Sequence, residues 1–320
     1  MTVARILIVT PAPSRSLAGN RITATRWARI LRTLGHKVQV SEHFHRQRAD
    51  LLIALHARRT ARSTAAFSAS DPGRPIIVAL TGTDLYGDIH RDATARESLK
   101  TATRIVLLQP DGLSALPKYH QAKSRVIRQS ALPPRRIPQP LKSVFEVCVC
   151  GHLRPVKDPF RAAMATRLLP NESQIRITHL GAALSPAMEQ RAVTEMQRNP
   201  RYVWRGEVPQ WQARQLIARS RLLVVTSKLE GGANVVSEAL VADVPVVSSR
   251  ISGSIGLLGD DYRGYFDVGN TQQLRSLLLR CERDREFYES LRDQCRTKPP
   301  ELTPEAERAA WQSLLGELGL

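Results

Sequence analysis

The sequence predicts an α/β protein built from two doubly wound domains, each a parallel sheet with helices on both faces. Three observations carry this expectation. Short β-prone apolar runs alternate with stretches of helical period along both halves of the chain, and that alternation calls for βαβ units. A stretch without periodicity, Leu132-Pro-Pro-Arg-Arg-Ile-Pro-Gln-Pro-Leu, interrupts the alternation and reads as a linker over about residues 132–143. The length of 320 residues suits two domains, each large enough for its own core. The expected division is an N-terminal Rossmann-like domain over 1–140, a C-terminal one over 144–298, and a terminal helix over 299–320 that packs back on the first domain.

In the first half, the apolar runs 5–9, 37–40, 51–55, 76–80 and 105–108 are the predicted strands, and 21–34 is a helix with a core stripe of Trp27, Ile30, Leu31 and Leu34 that stops at Gly35. The alternation restarts with strands at 145–150, 175–180, 202–205, 222–226 and 244–248. Leu274, Leu277, Leu278, Cys281, Tyr288, Leu291 and Cys295 mark one late amphipathic helix, and Trp311, Leu314 and Leu315 a last short one after Pro299-Pro300. Cys148 and Cys150 share a strand face and Cys281 and Cys295 a helix face; neither pair has zinc spacing, and all four read as free thiols. No apolar run approaches 18 residues and no charged and apolar leader opens the sequence, so the expectation is a cytoplasmic protein without a membrane span.

The segment Thr226-Ser-Lys-Leu-Glu-Gly-Gly-Ala-Asn-Val-Val-Ser-Glu-Ala-Leu runs from a strand through a glycine turn into a helix, with Glu230 and Glu238 eight residues apart. Amides from Gly231 and Gly232 through Ala233, Asn234 and Val235, together with the helix dipole, form a seat for a diphosphate. Carboxylates do not chelate phosphates, so Glu230 on the turn is assigned to sugar hydroxyls and Glu238, one helical turn on, to a ribose. A second strand end, Gly151-His-Leu-Arg-Pro-Val-Lys, presents Arg154 and Lys157 three residues apart. A guanidinium fork and a compact ammonium suit the charge that develops on a departing nucleoside diphosphate. No paired-aspartate motif follows a strand where it could hold a metal, so no metal and no cofactor is expected.

On these residues the chain resembles the retaining GT-B glycosyltransferases that carry Glu-x7-Glu with an upstream Arg and Lys. The likeness includes Gly206-Glu-Val-Pro before a helix and Asp243-Val-Pro-Val-Val before Ser252-Gly253. It implies two Rossmann-like domains facing across a cleft, a UDP-sugar donor, and retention at the anomeric carbon. Within it, Gly151, Arg154 and Lys157 serve the diphosphate, Gly206 and Val208 the base, Glu230 the sugar and Glu238 the ribose; Arg154, Lys157 and Glu230 are the catalytic set. Two positions depart from the pattern. Asp243 stands where the family has glycine, and Thr81-Gly82-Thr83-Asp84 where it has a His-Gly pair.

Ligands on open parallel sheets sit beyond the carboxyl ends of the strands. In the first domain those ends carry Arg15, Gly19, Asn20, Arg21, His56, Thr81 and Asp84, the expected acceptor side, where Arg15, Arg21, His56, Arg58 and Arg59 crowd positive charge and Asn20 reads as the helix cap. Bland alternatives stand beside these roles: a backbone-bonded strand-end histidine for His56, an Asx-type turn for Thr81 and Asp84, and solvated surface charge for Arg154, Lys157 and Glu238. Net charge is +18, with 47 basic against 29 acidic residues, which favours anionic ligands. Aromatics at 5% and the lack of a recognition motif exclude nucleic acid as partner. Arg58, Arg59 and Arg62 suit a membrane-facing surface, which we do not expect to be used.

The compact length, the Thr-Gly-Thr-Asp segment and His56-Ala-Arg-Arg look like the selenosugar synthases of selenoneine biosynthesis. That resemblance implies transfer of a sugar from UDP-GlcNAc or UDP-glucose to selenophosphate, forming a C–Se bond and releasing UDP and phosphate. Two alternatives remain open: transfer to a lipid or carbohydrate hydroxyl, and a sugar-nucleotide-binding protein without catalysis.

Overall fold

A computed structural model of the chain describes residues 3–134 and 138–320. Of the expected linker, Arg135, Arg136 and Ile137 lie outside the described residues. The fold is the expected α/β architecture of two parallel six-stranded sheets with helices, one in each of two compact units.

The first unit comprises the described residues through Ser130 together with Glu230–Gly232 and Thr303–Leu320. Its strands are β1 (Arg5–Val9), β2 (Lys37–Ser41), β3 (Leu51–Leu55), β4 (Ile76–Leu80), β5 (Arg104–Leu107) and β6 (Ser124–Val126), in the spatial order β2-β1-β3-β4-β5-β6. Both faces are covered, so alternate residues of one strand enter different cores. Ile6, Ile8, Ile53 and Leu55 pack with Trp27, Leu31, Trp311 and Leu314, whereas Leu7, Val9, Leu52 and Ala54 pack with Phe67 and Leu99. This is why the central strands read as unbroken apolar runs.

The helix Pro304–Glu317 closes the first of these cores, with the Trp27 and Trp311 rings edge to face at 4.8 Å. Its Glu307 is 2% exposed. The carboxylate accepts from Trp27 Nε1 (2.8 Å), from Ser130 N (2.9 Å) and from the Ser130 hydroxyl, and Arg26 Nε lies 3.3 Å away. A buried carboxylate with four donors is satisfied; the same donors without it are stranded.

The second unit comprises Ala131–Leu229 and Ala233–Leu302, the masked linker residues aside. Its strands are β7 (Phe145–Cys150), β8 (Ile175–Leu180), β9 (Tyr202–Trp204), β10 (Leu222–Val225), β11 (Val246–Ser249) and β12 (Tyr265–Phe266), in the order β12-β11-β10-β7-β8-β9. Strands β6 and β12 were not among the sequence expectations; at three and two residues they are too short to show a period. The single late helix is two, Thr271–Arg283 and Arg285–Arg296, because the Asp284 carboxylate caps the second by accepting from Phe287 N at 2.9 Å. Cys281 and Cys295 therefore lie on different helices; all four cysteines are unpaired.

Asp243 follows the helix Asn234–Val241 in the left-handed region (φ 59°), the conformation for which glycine is favoured. Its carboxylate is held by Arg292 Nη2 (2.6 Å) and by Arg296 Nε (2.8 Å). Two ion pairs thus offset the backbone cost of having a side chain at this position.

Glu307→Ala is expected to destabilise the protein by about 3 to 5 kcal/mol, the cost of breaking a buried charged pair. Urea denaturation followed by tryptophan fluorescence checks it, and a loss under about 1 kcal/mol would contradict the burial argument.

Candidate active site

In each sheet the chain reverses its direction of build-up at one point, and there the loops diverge beyond the carboxyl ends to leave room for a ligand. In the second unit that point lies between β7 and β10. The loop after β7 carries Gly151 to Lys157, and the loop after β10 leads to the helix Asn234–Val241.

The β7 turn rests on its neighbours. Gly151 N donates to Leu180 O (2.8 Å), and Gly181 N to Gly206 O (2.7 Å). Gly181 has φ 141°, and a Cβ there would stand 2.2 Å from the Gly151 carbonyl oxygen, so no side chain fits. Gly206 also lies in the left-handed region, at φ 67°. Beneath the turn, buried His179 bridges Tyr202 OH (3.0 Å at Nδ1) and Gly151 O (3.1 Å at Nε2). A carbonyl only accepts, so Nε2 carries the proton and Nδ1 receives the phenol's; burial of this neutral ring lowers its pKa to about 4.

Arg154 leads into a 3₁₀ turn, Pro155–Lys157, and Asp158 ends it at φ 43°. This turn is tied to the β10 loop: Thr226 Oγ1 lies 2.9 Å from both Lys157 O and Asp158 O, and Lys228 N donates to Val156 O (2.8 Å). The Arg154 Nε is buried and has no partner among the described residues. The Lys157 side chain lies over Gly151, its Cδ 3.8 Å from where a Cβ would stand. His152 is fixed on the same turn, its Nδ1 accepting from Ala182 N at 3.1 Å. Burial lowers its pKa, Glu207 opposes this, and Arg154 and Lys157 lower it further. Cys150 is raised to about 12, by burial first and then by Glu238, with Lys157 opposing, so its thiol senses both the carboxylate and the ammonium.

Glu238 stands one turn into its helix and is 8% exposed. Its Oε1 accepts from Arg214 Nε (3.0 Å) and Gln210 Nε2 (3.2 Å), both on the helix Gln210–Arg219 that follows the Gly206–Pro209 loop. The helix starts later than its glycines suggest: Ala233 is the extended cap residue and Asn234 the first helical one. Val236 N bonds Ala233 O and closes the first helical turn.

Glu230, Gly231 and Gly232 fall with the first unit. A Cβ on Gly231 would lie 2.6 Å from Thr81 O, and one on Gly82 (φ 135°) 2.7 Å from Gly231 N, so the two glycines meet backbone to backbone. Asp84 is fully buried, and its oxygens accept from Thr81 N, Gly82 N and Ala57 N, each at 2.9 Å. The Thr81 and Gly82 amides lie three and two residues before Asp84, the reverse of an Asx turn, and with Ala57 N they let its carboxylate shape the loop. His56 is 2% exposed, with φ 79°. Its Nδ1 accepts from Arg59 N (3.4 Å) and its Nε2 donates to Thr83 Oγ1 (3.1 Å), with Asp88 Oδ2 at 3.7 Å. Burial lowers the His56 pKa, with Asp84 chief among the opposing charges. Arg58 pairs with Asp88 at 3.1 Å.

Two expectations are corrected here. Asn20 is not the cap: the helix is Gly19–Thr33, the cap position is Ala18 in extended backbone without a side-chain hydrogen bond, and Asn20 lies in the first turn. The crowd of cations is smaller than expected, because His56 is disfavoured as a cation and Asp88 engages Arg58. Gly19 and Arg15 are exposed, Asn20, Arg21 and Thr81 half-buried. The sequence reading missed His152, Arg214, Gln210, Thr83 and Asp88. Gln210 and Arg214 sit at i, i+4 spacing just past Val208, a signal that could have found them.

The pair of doubly wound parallel-sheet units, matched over their whole length by known structures, defines a GT-B glycosyltransferase fold. The family model "Glycosyl transferases group 1" matches residues 135–298, just over half of the chain, and the chain belongs to that family. Among solved structures it is similar to HepE of Anabaena in complex with UDP-glucose, at 17% identity and a TM-score of 0.76, over 98% of this chain and 100% of that one. It is also similar to the sucrose-phosphate synthase of Thermosynechococcus elongatus, at 14% identity and a TM-score of 0.79, over 98% of both chains. The trehalose-phosphate synthase of Burkholderia xenovorans, in complex with glucose-6-phosphate, gives 11% and 0.68 over 84% of this chain and 73% of that one. At such identities the likeness is one of fold. No curated protein matches by sequence. Among the described residues no helix is long and apolar enough to cross a membrane, and no cluster of three or more His, Cys, Asp or Glu side chains is placed to hold a metal.

Gly181→Ala is expected to push the Gly151 turn aside, costing at least about 2 kcal/mol of stability as overpacking does. Calorimetric titration with UDP should show weakened binding, and unchanged stability with unchanged UDP affinity would contradict the stacking. The depressed His179 gives a pH dependence: its folded pKa of about 4 lies below its ordinary 6.5, so the unfolded chain takes up a proton first. Its contribution is complete above pH 6.5 and is lost as pH falls toward 4. His179→Gln, which keeps a donor for Gly151 O, should show a shallower loss of stability across that window; an identical slope would place the proton uptake elsewhere.

Proposed function

We propose that this glycosyltransferase takes the sugar of a UDP-sugar, UDP-GlcNAc or UDP-glucose, and transfers it to selenophosphate to give a 1-selenosugar. The observation that carries the donor half is Arg154: a guanidinium with a buried, unpartnered Nε, beside Lys157, on a turn braced by two strand-end glycines and bonded to the β10 loop. A buried N–H donor without an acceptor carries a desolvation cost that an oxyanion would relieve. UDP and UDP-glucose occupy HepE, which supports the choice of nucleotide.

Arg154 and Lys157 then hold the diphosphate and stabilise the charge that grows on the leaving oxygen, with the amides of the helix that begins at Asn234 adding to the seat. Glu230 orients the sugar, Glu238 takes the ribose hydroxyls, and Gly206 and Val208 border the base. Selenium attacks the anomeric carbon, the C–O bond to UDP breaks, and its electron pair leaves on the β-phosphate. Water afterwards cleaves the Se–P bond, giving phosphate and the selenol. Selenophosphate is a soft, anionic nucleophile and needs seating rather than a base. Gly19, Asn20, Arg15, Arg21, His56 and Thr81 form that seat, with Asp84 positioning Thr81 and Gly82 through their amides. The division of labour assigns the acceptor to the N-terminal domain and the nucleotide to the C-terminal one.

A second reading has its own observation. His56 lies beside Asp84 and Asp88, and burial favours its neutral ring. A neutral imidazole flanked by carboxylates suits a lipid or carbohydrate hydroxyl better than a dianion. Mass spectrometry of the enzyme with a panel of UDP-sugars and, separately, selenophosphate, thiophosphate, phosphate and sugar or lipid alcohols decides between them. A selenium isotope pattern on a sugar is the expected product; UDP release with an alcohol alone would overturn the selenophosphate acceptor.

Arg154→Ala and Lys157→Ala are each expected to cost on the order of 2 to 4 kcal/mol in kcat/KM, the scale for removing one preorganised electrostatic donor. Wild-type turnover in either variant would remove its leaving-group role.

A further inference from the structure

Glu238 is a buried carboxylate whose two oxygens have different surroundings. Oε1 receives both Arg214 Nε and Gln210 Nε2, whereas no hydrogen bond to Oε2 is made by the described residues. The two donors stand one helical turn apart on one face of the helix Gln210–Arg219. They come to the carboxylate from the same side and fix its rotamer, with one oxygen committed and the other turned away from its protein partners. The arginine holds one oxygen by a charge-assisted hydrogen bond and leaves the other open as an acceptor.

We infer that Arg214, aided by Gln210, is a positioning residue that sets the selectivity of this glycosyltransferase for a ribonucleotide donor, by holding Glu238 oriented so that Oε2 receives the ribose hydroxyls. The inference rests on the proposed role of Glu238. Selectivity follows from the chemistry: a site built to accept hydrogen bonds from a diol penalises a ligand that lacks one hydroxyl, because a buried acceptor is then left unmet. A carboxylate free to swing would follow the remaining hydroxyl and lose that discrimination. Arg214 therefore acts on the preference between two ligands, beyond any contribution to affinity for either.

Calorimetric titration with UDP and with 2′-deoxy-UDP, alongside thermal melts, tests this in the full chain. The wild type is expected to prefer UDP by at least about tenfold, or roughly 1.4 kcal/mol. Arg214→Leu keeps the aliphatic packing and should bring the preference to within about threefold, with Arg214→Lys intermediate because a single ammonium can still pair with Oε1. Glu238→Gln should also abolish the preference. Should Arg214→Leu and Arg214→Lys both melt normally and both keep the full preference while Glu238→Gln loses it, Arg214 has no positioning role. Should Glu238→Gln itself keep the full preference, the ribose assignment of Glu238 fails.

Discussion

The geometry of the second unit's sheet end depends on one close approach. Gly181 sits against the Gly151 carbonyl where no Cβ fits, and both lie at the carboxyl ends of adjacent parallel strands. Everything that gives the β7 turn its chemistry follows from this contact. His179 reaches up to the same carbonyl, Trp204 Nε1 donates to Gly181 O at 2.8 Å, and Gly206 continues the row on the next strand. The turn that bears His152, Arg154 and Lys157 is therefore set by backbone packing, and its charged side chains need not hold one another in place.

Four buried carboxylates each have a dedicated set of donors. Glu146 at the start of β7 takes both Arg219 Nε and Nη2 at 2.8 Å; Glu238 takes Arg214 and Gln210; Glu307 takes Trp27, Ser130 and Arg26; Asp84 takes three amides. Such pairs stabilise little beyond an apolar substitute but are costly to break singly, so their effect is to specify geometry. The excess of 47 basic over 29 acidic side chains leaves many cations beyond those engaged in this way. A field of that sign raises the encounter rate of a nucleoside diphosphate irrespective of which residues finally hold it.

The parts of this architecture that repeat were readable from sequence. Strands buried on both faces announce themselves as apolar runs, so β1, β3, β4, β7, β8 and β10 were found within a residue or so, as were the glycine turns that follow β7 and β10. What escaped depends on contacts between distant residues. Nothing near Glu238 reveals that an arginine on the preceding helix commits one of its oxygens, and nothing near Asp84 says that its partners are amides of two different loops. The left-handed backbone at His56 was likewise hidden, whereas that at Asp243 was signalled by its standing where the family has glycine. The break at Asp284 was visible in principle as an aspartate capping Arg285–Arg296, but the apolar stripe runs through it without loss of period.

The central claim is that the turn after β7 and the helix after β10 together seat the nucleotide's diphosphate. Amide hydrogen exchange of the full chain, with and without saturating UDP, tests it most directly. The account predicts slowed exchange in residues 151–158 and 234–238, with the late helices Thr271–Arg283 and Arg285–Arg296 little changed. Bound UDP that leaves both of these segments exchanging at their free rates would contradict it.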